Sequence, residues 1–317
     1  MILMAKSFLS LEVRFPCALY GVRRWANTVI FYTGNVGLGK ETIIQLAKHS
    51  PSRIYLGARN ANKAQDAIAS IQENLSSPVD IRHISLDLSS FKSIRAAAEK
   101  FNADCDRLDT LILNAGTMAN PPTTTEEGFE VQVGTNHVGH FLLTKLLLPT
   151  LQKTVASATP APDVRVVTLS SVGHSACPSF DVMTSTQKLL EANTLVRYGA
   201  SKAANILFAA ELARRCPEIL SVSVHPGAVA SNLYEHAKAS NAATKCGIAA
   251  MSLAFRSVRT GAMNQLWAAG AKRELLVNGN YYVPIGVHAN TQYASDADLG
   301  KKLWEWTEAQ IAEKSES

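Results

Sequence analysis

From residue 28 onward, short β-rich apolar runs alternate with longer segments of helical composition. Val29–Thr33 reads as a strand, followed by glycines and a helix from about Lys40 to His49. Ile54–Ala58 and Val79–Leu86 read as further strands, with helical segments at Lys63–Leu75 and near Ser90–Phe101. Leu108–Leu113 is a compact apolar run ending in Asn114-Ala115-Gly116. Phe141–Leu151 is helical, Val164–Leu169 returns to strand, and Tyr198–Cys216 is a long helix stopped by Pro217. Ser221–Val224 is a strand ending in His225-Pro226-Gly227, and Asn278–Pro284 reads as a turn and an edge strand. This succession predicts a Rossmann-like α/β fold, a doubly wound parallel sheet with helices on both faces, in three α/β/α layers. Thr154–Asp163, rich in Pro, Ala and Ser, reads as a surface loop, so residues 28–317 are taken as one domain.

Composition adds limits. The 317 residues, 47% of them hydrophobic, are enough to bury a sizeable core. The net charge of +5 comes from scattered residues and does not argue for nucleic acid. The five cysteines show no metal-ligand spacing, and their odd number and wide separation suit a reduced compartment. Residues 1–27 read as an irregular leader. Lys6, Glu12 and Arg14 break its apolar stretch, which is too short to span a bilayer and unlike a secretion signal. The expected location is cytoplasmic, without firm membrane association.

In doubly wound sheets ligands bind beyond the carboxyl ends of the strands, and the chemistry-bearing residues follow strands here. Gly34, Asn35, Gly37, Leu38 and Gly39 join the first strand to the first helix. Glycines there allow a tight turn and a close approach of backbone amides to a pyrophosphate, and the helix N-terminus adds positive potential. Gly34, Gly39 and Lys40 also have nucleotide-triphosphatase spacing, but Glu41 stands where that pattern needs Ser or Thr. The second strand ends in Ala58-Arg59 rather than in the acidic residue of an NAD site. Arg59, helped by Lys63, can hold a 2′-phosphate, which points to NADP(H). A solvated arginine is the competing reading. Asp87, with the Leu88 backbone beside it, can accept from an adenine amino group or cap the following helix. Asn114, Ala115 and Gly116 let the chain pass close to a ribose.

Tyr198 and Lys202 stand at i and i+4, on one helical face. A nearby ammonium favours phenolate and makes the phenol a usable acid–base group. Upstream, Ser171 can donate to a carbonyl oxygen. Ser170 competes for that role, and strand alternation points the two hydroxyls opposite ways. Asn136 lies in a helical or kinked region.

Together these residues resemble the short-chain dehydrogenase/reductase family, from about Val29 to the C-terminus. The text Glu127-Gly128-Phe129-Glu130, Asn136 to Thr144, and Ser170-Ser171-Val172-Gly173-His174 is most similar to the retinol-dehydrogenase-like branch, fungal members included. The long separation of Ser171 from Tyr198 also resembles that branch. The resemblance implies a catalytic set of Asn136, Ser171, Tyr198 and Lys202, with no metal. Tyr198 exchanges the proton, Lys202 holds the nicotinamide ribose, Ser171 positions the carbonyl, and Asn136 holds a water of the proton relay. Pro226 and Gly227 would begin a loop over the nicotinamide, with Val229 and Ser231 at its carboxamide end. The chain departs from the family pattern at one point. Only Asn35 and Val36 separate Gly34 from Gly37, one residue fewer than the family uses. Either the cofactor cradle is rearranged or weakened, or the start of the chain is a mis-assembled translation of its gene. The alternative function is therefore a catalytically impaired nucleotide-binding or interaction protein. Residues 176–197 and 228–245 should flank the substrate. Phe180, Met183, Leu189, Leu190, Leu195, Leu233 and Tyr234 would suit a hydrophobic ketone, aldehyde or alcohol. Trp304 and Trp306 read as packing or dimer-contact residues, and a homodimer is expected by analogy only.

Overall fold

The computed structural model of the chain describes residues 28–229 and 256–316. The predicted leader, Ser231, Leu233 and Tyr234 therefore lie outside the described residues. Among the described residues, eight strands form one sheet: β1 (Val29–Thr33), β2 (Arg53–Ala58), β3 (Ile81–Ser85), β4 (Thr110–Leu113), β5 (Arg165–Leu169), β6 (Leu220–Val224), β7 (Tyr281–Val283) and β8 (Val287–His288). Their spatial order is β3-β2-β1-β4-β5-β6-β7-β8. All neighbours pair in parallel except β7 and β8. The predicted edge strand is thus an inner one. β7 pairs with β6 on one side, and β8 forms the edge through an antiparallel pairing with β7.

β1, β2, β4, β5 and β6 are buried almost throughout on both faces, which is why runs such as Val29–Thr33 and Thr110–Leu113 read as mainly apolar, whereas β3 is half-buried and β8 exposed. Within β1, Val29 and Phe31 face one apolar cluster while Ile30 and Tyr32 face the other. The first cluster is closed by helices α3 (Phe91–Asp104), α4 (Gly139–Val155), α5 (Thr194–Arg215) and α7 (Ala297–Glu316). The second is closed by α1 (Leu38–Ala47), α2 (Ala61–Gln72) and α6 (Val258–Gly270). Trp304 is 4% exposed and stacks on Phe208, so it packs within its own chain. Trp306 meets Phe129 edge-on.

Two helix starts matter for the site. α5 begins before Tyr198, because Asn193 accepts from the Leu195 and Val196 amides at 3.0 and 3.1 Å and so caps the helix. Tyr198 is therefore in the second turn rather than at the opening. Before α4, the helical turn Val131–Val133 runs into a π-helical segment, Gly134–Val138, that contains Asn136. Such bulges re-aim side chains and often accompany functional sites.

Candidate active site

The chain runs outward from β1 to β3, then crosses back to β4 beside β1. At that reversal a cleft of about 630 Å³ opens beyond the strand ends. Gly34, Asn35, Gly37, Leu38, Arg59, Asp87, Leu88, Asn114, Ala115, Gly116, Tyr198, Lys202 and Pro226 all line it. Lys63 does not. It sits on the exposed first turn of α2, where Asn60 caps its amide at 2.9 Å. Lys40, the lysine of the triphosphatase reading, turns away to donate to Ser70 Oγ at 2.7 Å and does not line the cleft.

The shortened glycine turn is closed. Gly34 has φ +106° and Gly37 φ +52°, both in the region that favours glycine. Gly39 lies beneath the turn, where a Cβ would stand 2.6 Å from the Gly34 carbonyl oxygen. A Cβ on Gly34 would stand 2.8 Å from Asn114 Nδ2. Asn114 Nδ2 donates to Thr33 O at 3.0 Å, while its Oδ1 is buried and has no partner. A cradle too tight for side chains, an unpartnered acceptor on its wall and the N-terminus of α1 at its end suit a dinucleotide. Arg59 is exposed at the rim, next to buried Ala58. Asp87 is not the helix cap; Ser90 takes that role for α3. The Asp87 carboxylate accepts from Ser89 N and Ser89 Oγ, at 2.9 and 2.6 Å, and lines the cleft.

At the other end, Tyr198 is 8% exposed and Lys202 Nζ lies 5.6 Å from its ring centroid. Lys202 Nζ donates to Leu169 O at 3.0 Å. Burial brings the lysine pKa down from 10.5 to about 8. The two serines separate as strand alternation requires. Ser170 Oγ is buried and donates to Lys202 O at 2.8 Å, whereas Ser171 Oγ accepts from Gly173 N at 3.1 Å. Gly173 links Ser171 to Tyr198. A Cβ there would lie 3.2 Å from two ring carbons of Tyr198 and 3.3 Å from Ser171 Oγ. Ser171 itself is not among the residues lining the cleft, although Leu169 and Ser170 are. Asn136 is fully buried; its Nδ2 donates to Thr117 O and Ser201 Oγ, both at 2.9 Å. A Cβ on Gly116 would stand 3.2 Å from Asn136 Oδ1 and 3.5 Å from Lys202 Nζ, which puts those two groups on one side of the cleft. Gly227, with φ +88°, follows Pro226, and Val229 is buried against Gly261 of α6.

Several neighbours carry no local sequence signal. Arg197, beside Tyr198, is 4% exposed and pairs with fully buried Glu130 at 3.3 Å. Glu130 Oε2 also accepts from the Gln132 and Val133 amides, each at 3.0 Å, and so fixes the start of the Asn136 segment. Tyr281 presents a buried, unpartnered hydroxyl, and burial, with the neighbouring Tyr198 as a smaller cause, raises its pKa. Burial also brings His225 down to about 4. The expected substrate residues divide: Met183 and Leu189 belong to the core, while Leu195 is 62% exposed. Among the described residues, no cluster of acidic, histidine or cysteine side chains could hold a metal, and no helix is long and apolar enough to cross a membrane.

The family profile described as short chain dehydrogenase matches residues 28–177. A short-chain dehydrogenase/reductase of Armillaria gallica is 36% identical over 287 residues, covering 89% of each chain. The chain belongs to the short-chain dehydrogenase/reductase family. Retinol dehydrogenase 13 of Homo sapiens is 36% identical over 285 residues, covering 87% of this chain and 82% of its own. Among solved structures, the Pseudomonas aeruginosa RhlG/NADP active-site complex superposes with a TM-score of 0.63 at 22% identity, over 83% of this chain and 98% of that one. This is the oxidoreductase fold of the family, with the tyrosine of its active site beside the lysine and serine described above.

Proposed function

We propose that the chain is an NADP(H)-dependent oxidoreductase of the retinol-dehydrogenase-like branch, interconverting a hydrophobic ketone or aldehyde and its alcohol. It works as one domain from residue 28, with substrate loops at 176–197 and 228–245. The observation that carries the reading is the pairing of Tyr198 with desolvated Lys202 at one end of a cleft whose other end holds the glycine turn and Arg59. When bound, the reduced nicotinamide supplies a hydride to the carbonyl carbon. Tyr198 gives its phenolic proton to the carbonyl oxygen, and the Lys202 ammonium stabilises the phenolate left behind. Ser171 Oγ donates to the same oxygen as its negative charge develops. Asn136, at the π segment, keeps Lys202 flanked by a polar wall. In the oxidation direction the same groups run in reverse. The exposed side chains of Val172 and Leu195, beside Ser171 and one turn before Tyr198, offer apolar surface to a hydrophobic substrate.

NADPH consumption across a panel of carbonyl compounds tests this, in wild type and in Tyr198→Phe. The variant is expected to lose about 10²-fold or more, the scale of an acid–base group. Equal rates would remove Tyr198 from its role. A folded protein that binds NADPH weakly or not at all in calorimetric titration, and turns over no carbonyl of the panel, would favour the alternative, a catalytically impaired nucleotide-binding or interaction protein.

A further inference from the structure

His140, the second residue of α4, is 1% exposed and both of its ring nitrogens are engaged. Nε2 lies 3.1 Å from Thr33 Oγ1 and Nδ1 lies 3.0 Å from Asn136 O. The proton positions follow from the partners. Thr33 Oγ1 already accepts from Asn114 N at 2.9 Å and Ala115 N at 3.0 Å, which uses both of its lone pairs. Its one hydrogen must be donated, and His140 Nε2 is closer than the other acceptor, Ile112 O at 3.4 Å. The Asn136 carbonyl only accepts, so Nδ1 carries the ring proton. Burial, helped by the Lys202 charge, pushes His140 down to about 3, which keeps this arrangement neutral.

The imidazole thus joins two places that sequence keeps far apart. Thr33 is the last residue of β1, directly before Gly34, and it also holds the Asn114-Ala115 segment. Asn136 lies in the π segment and bonds Ser201 Oγ, which donates to Tyr198 O at 2.8 Å. Every side chain in this path is buried, so no water competes for the bonds. We propose that His140 is a positioning residue that, in one fixed tautomer, ties the glycine turn to Asn136 and so couples filling of the cofactor cleft to the alignment of Tyr198 and Lys202. This rests on the cofactor reading of the cleft given above.

Two measurements test it. Nitrogen-15 NMR of histidine-labelled wild type should show His140 neutral with the proton on Nδ1 from about pH 5 to 8. A proton on Nε2, or an imidazolium, overturns the fixed tautomer. Hydrogen exchange with and without NADPH tests the coupling. In wild type, NADPH should slow exchange both in the glycine turn and in the segment from Gly134 to His140. His140→Leu should keep the first protection and lose the second, with kcat falling about tenfold at unchanged substrate KM, the size of one or two lost hydrogen bonds. His140→Gln, which offers one acceptor and one donor, should restore both. Protection at Gly134–His140 that survives in His140→Leu overturns the coupling. If His140→Leu does not fold, loss of that protection in His140→Gln overturns it equally. No protection of the glycine turn in wild type overturns the cofactor reading instead, while the NMR result still reports the tautomer.

Discussion

Replacing Lys202 by methionine should stabilise the protein at neutral pH while abolishing turnover. Lys202 is 5% exposed, and burial lowers its pKa from 10.5 to about 8. At roughly 1.4 kcal/mol for each pKa unit, holding the ammonium there costs about 3 kcal/mol. Methionine removes that cost and fills a similar volume. It also deletes the bond from Nζ to Leu169 O, worth about 1 kcal/mol, but that carbonyl keeps the Asn205 Nδ2 donor at 2.9 Å. The net gain is about 2 kcal/mol below pH 8. The sign of the pH dependence follows from linkage. A lysine with a depressed folded pKa is fully compatible with folding above about 10.5, and that stability is lost as pH falls through about 8. The advantage of Lys202→Met should therefore be largest at about pH 6.5 and shrink towards zero by about pH 10. Urea unfolding of both proteins without cofactor measures it, provided the two m-values agree. A variant less stable than wild type at neutral pH, or an advantage that grows with pH, would refute the reasoning.

Three further outcomes follow from other contacts. Arg59→Ala should weaken NADPH binding by about 1.5 kcal/mol with little effect on NADH, and salt should erode the wild-type preference; an unchanged cofactor ratio would show that Arg59 only meets solvent. Gly39→Ala places a methyl 2.6 Å from the Gly34 carbonyl oxygen, so it should lower the melting temperature by the equivalent of about 1–3 kcal/mol and weaken NADPH in calorimetry. Glu130→Leu strands the buried Arg197 guanidinium and should cost about 3–5 kcal/mol in denaturant, much of which the double variant with Arg197→Leu regains. Additive losses in that cycle would mean the pair is not coupled.

The central strands are legible because burial on both faces leaves mainly apolar runs, as in Val29–Thr33 and Thr110–Leu113. The start of α5 was not, because Thr194-Leu195-Val196 shows no helical periodicity and only the Asn193 cap marks it. The signal for that cap was local and could have been found. β7 looked like an edge strand because β8 is only two residues long. Most of the residues read as cofactor-binding line one cleft, since all but Tyr198 and Lys202 lie just beyond strand ends and the fold carries those ends to one side. Only its position one turn after Arg59 recommends Lys63, and the exposed first turn of α2 leaves it off the cleft. Alternation points Ser170 and Ser171 opposite ways, and the structure engages Ser170 Oγ with Lys202 O. The Glu130–Arg197 and Thr33–His140–Asn136 contacts join segments 67 and 107 residues apart. No local pattern announces such pairs.

The strand order also bears on how the chain is made. Residues 29–85 supply β1, β2 and β3 as immediate neighbours, so this half of the sheet can zip as it leaves the ribosome. The other edge of β1, carrying Val-Ile-Phe-Tyr-Thr, stays bare until β4 emerges at residue 110. An uncovered apolar strand edge is an aggregation hazard for as long as it waits. One face waits longer still, because α6, which packs beside α1, ends at residue 270. Nascent chains halted between those points would be the ones that most need a chaperone.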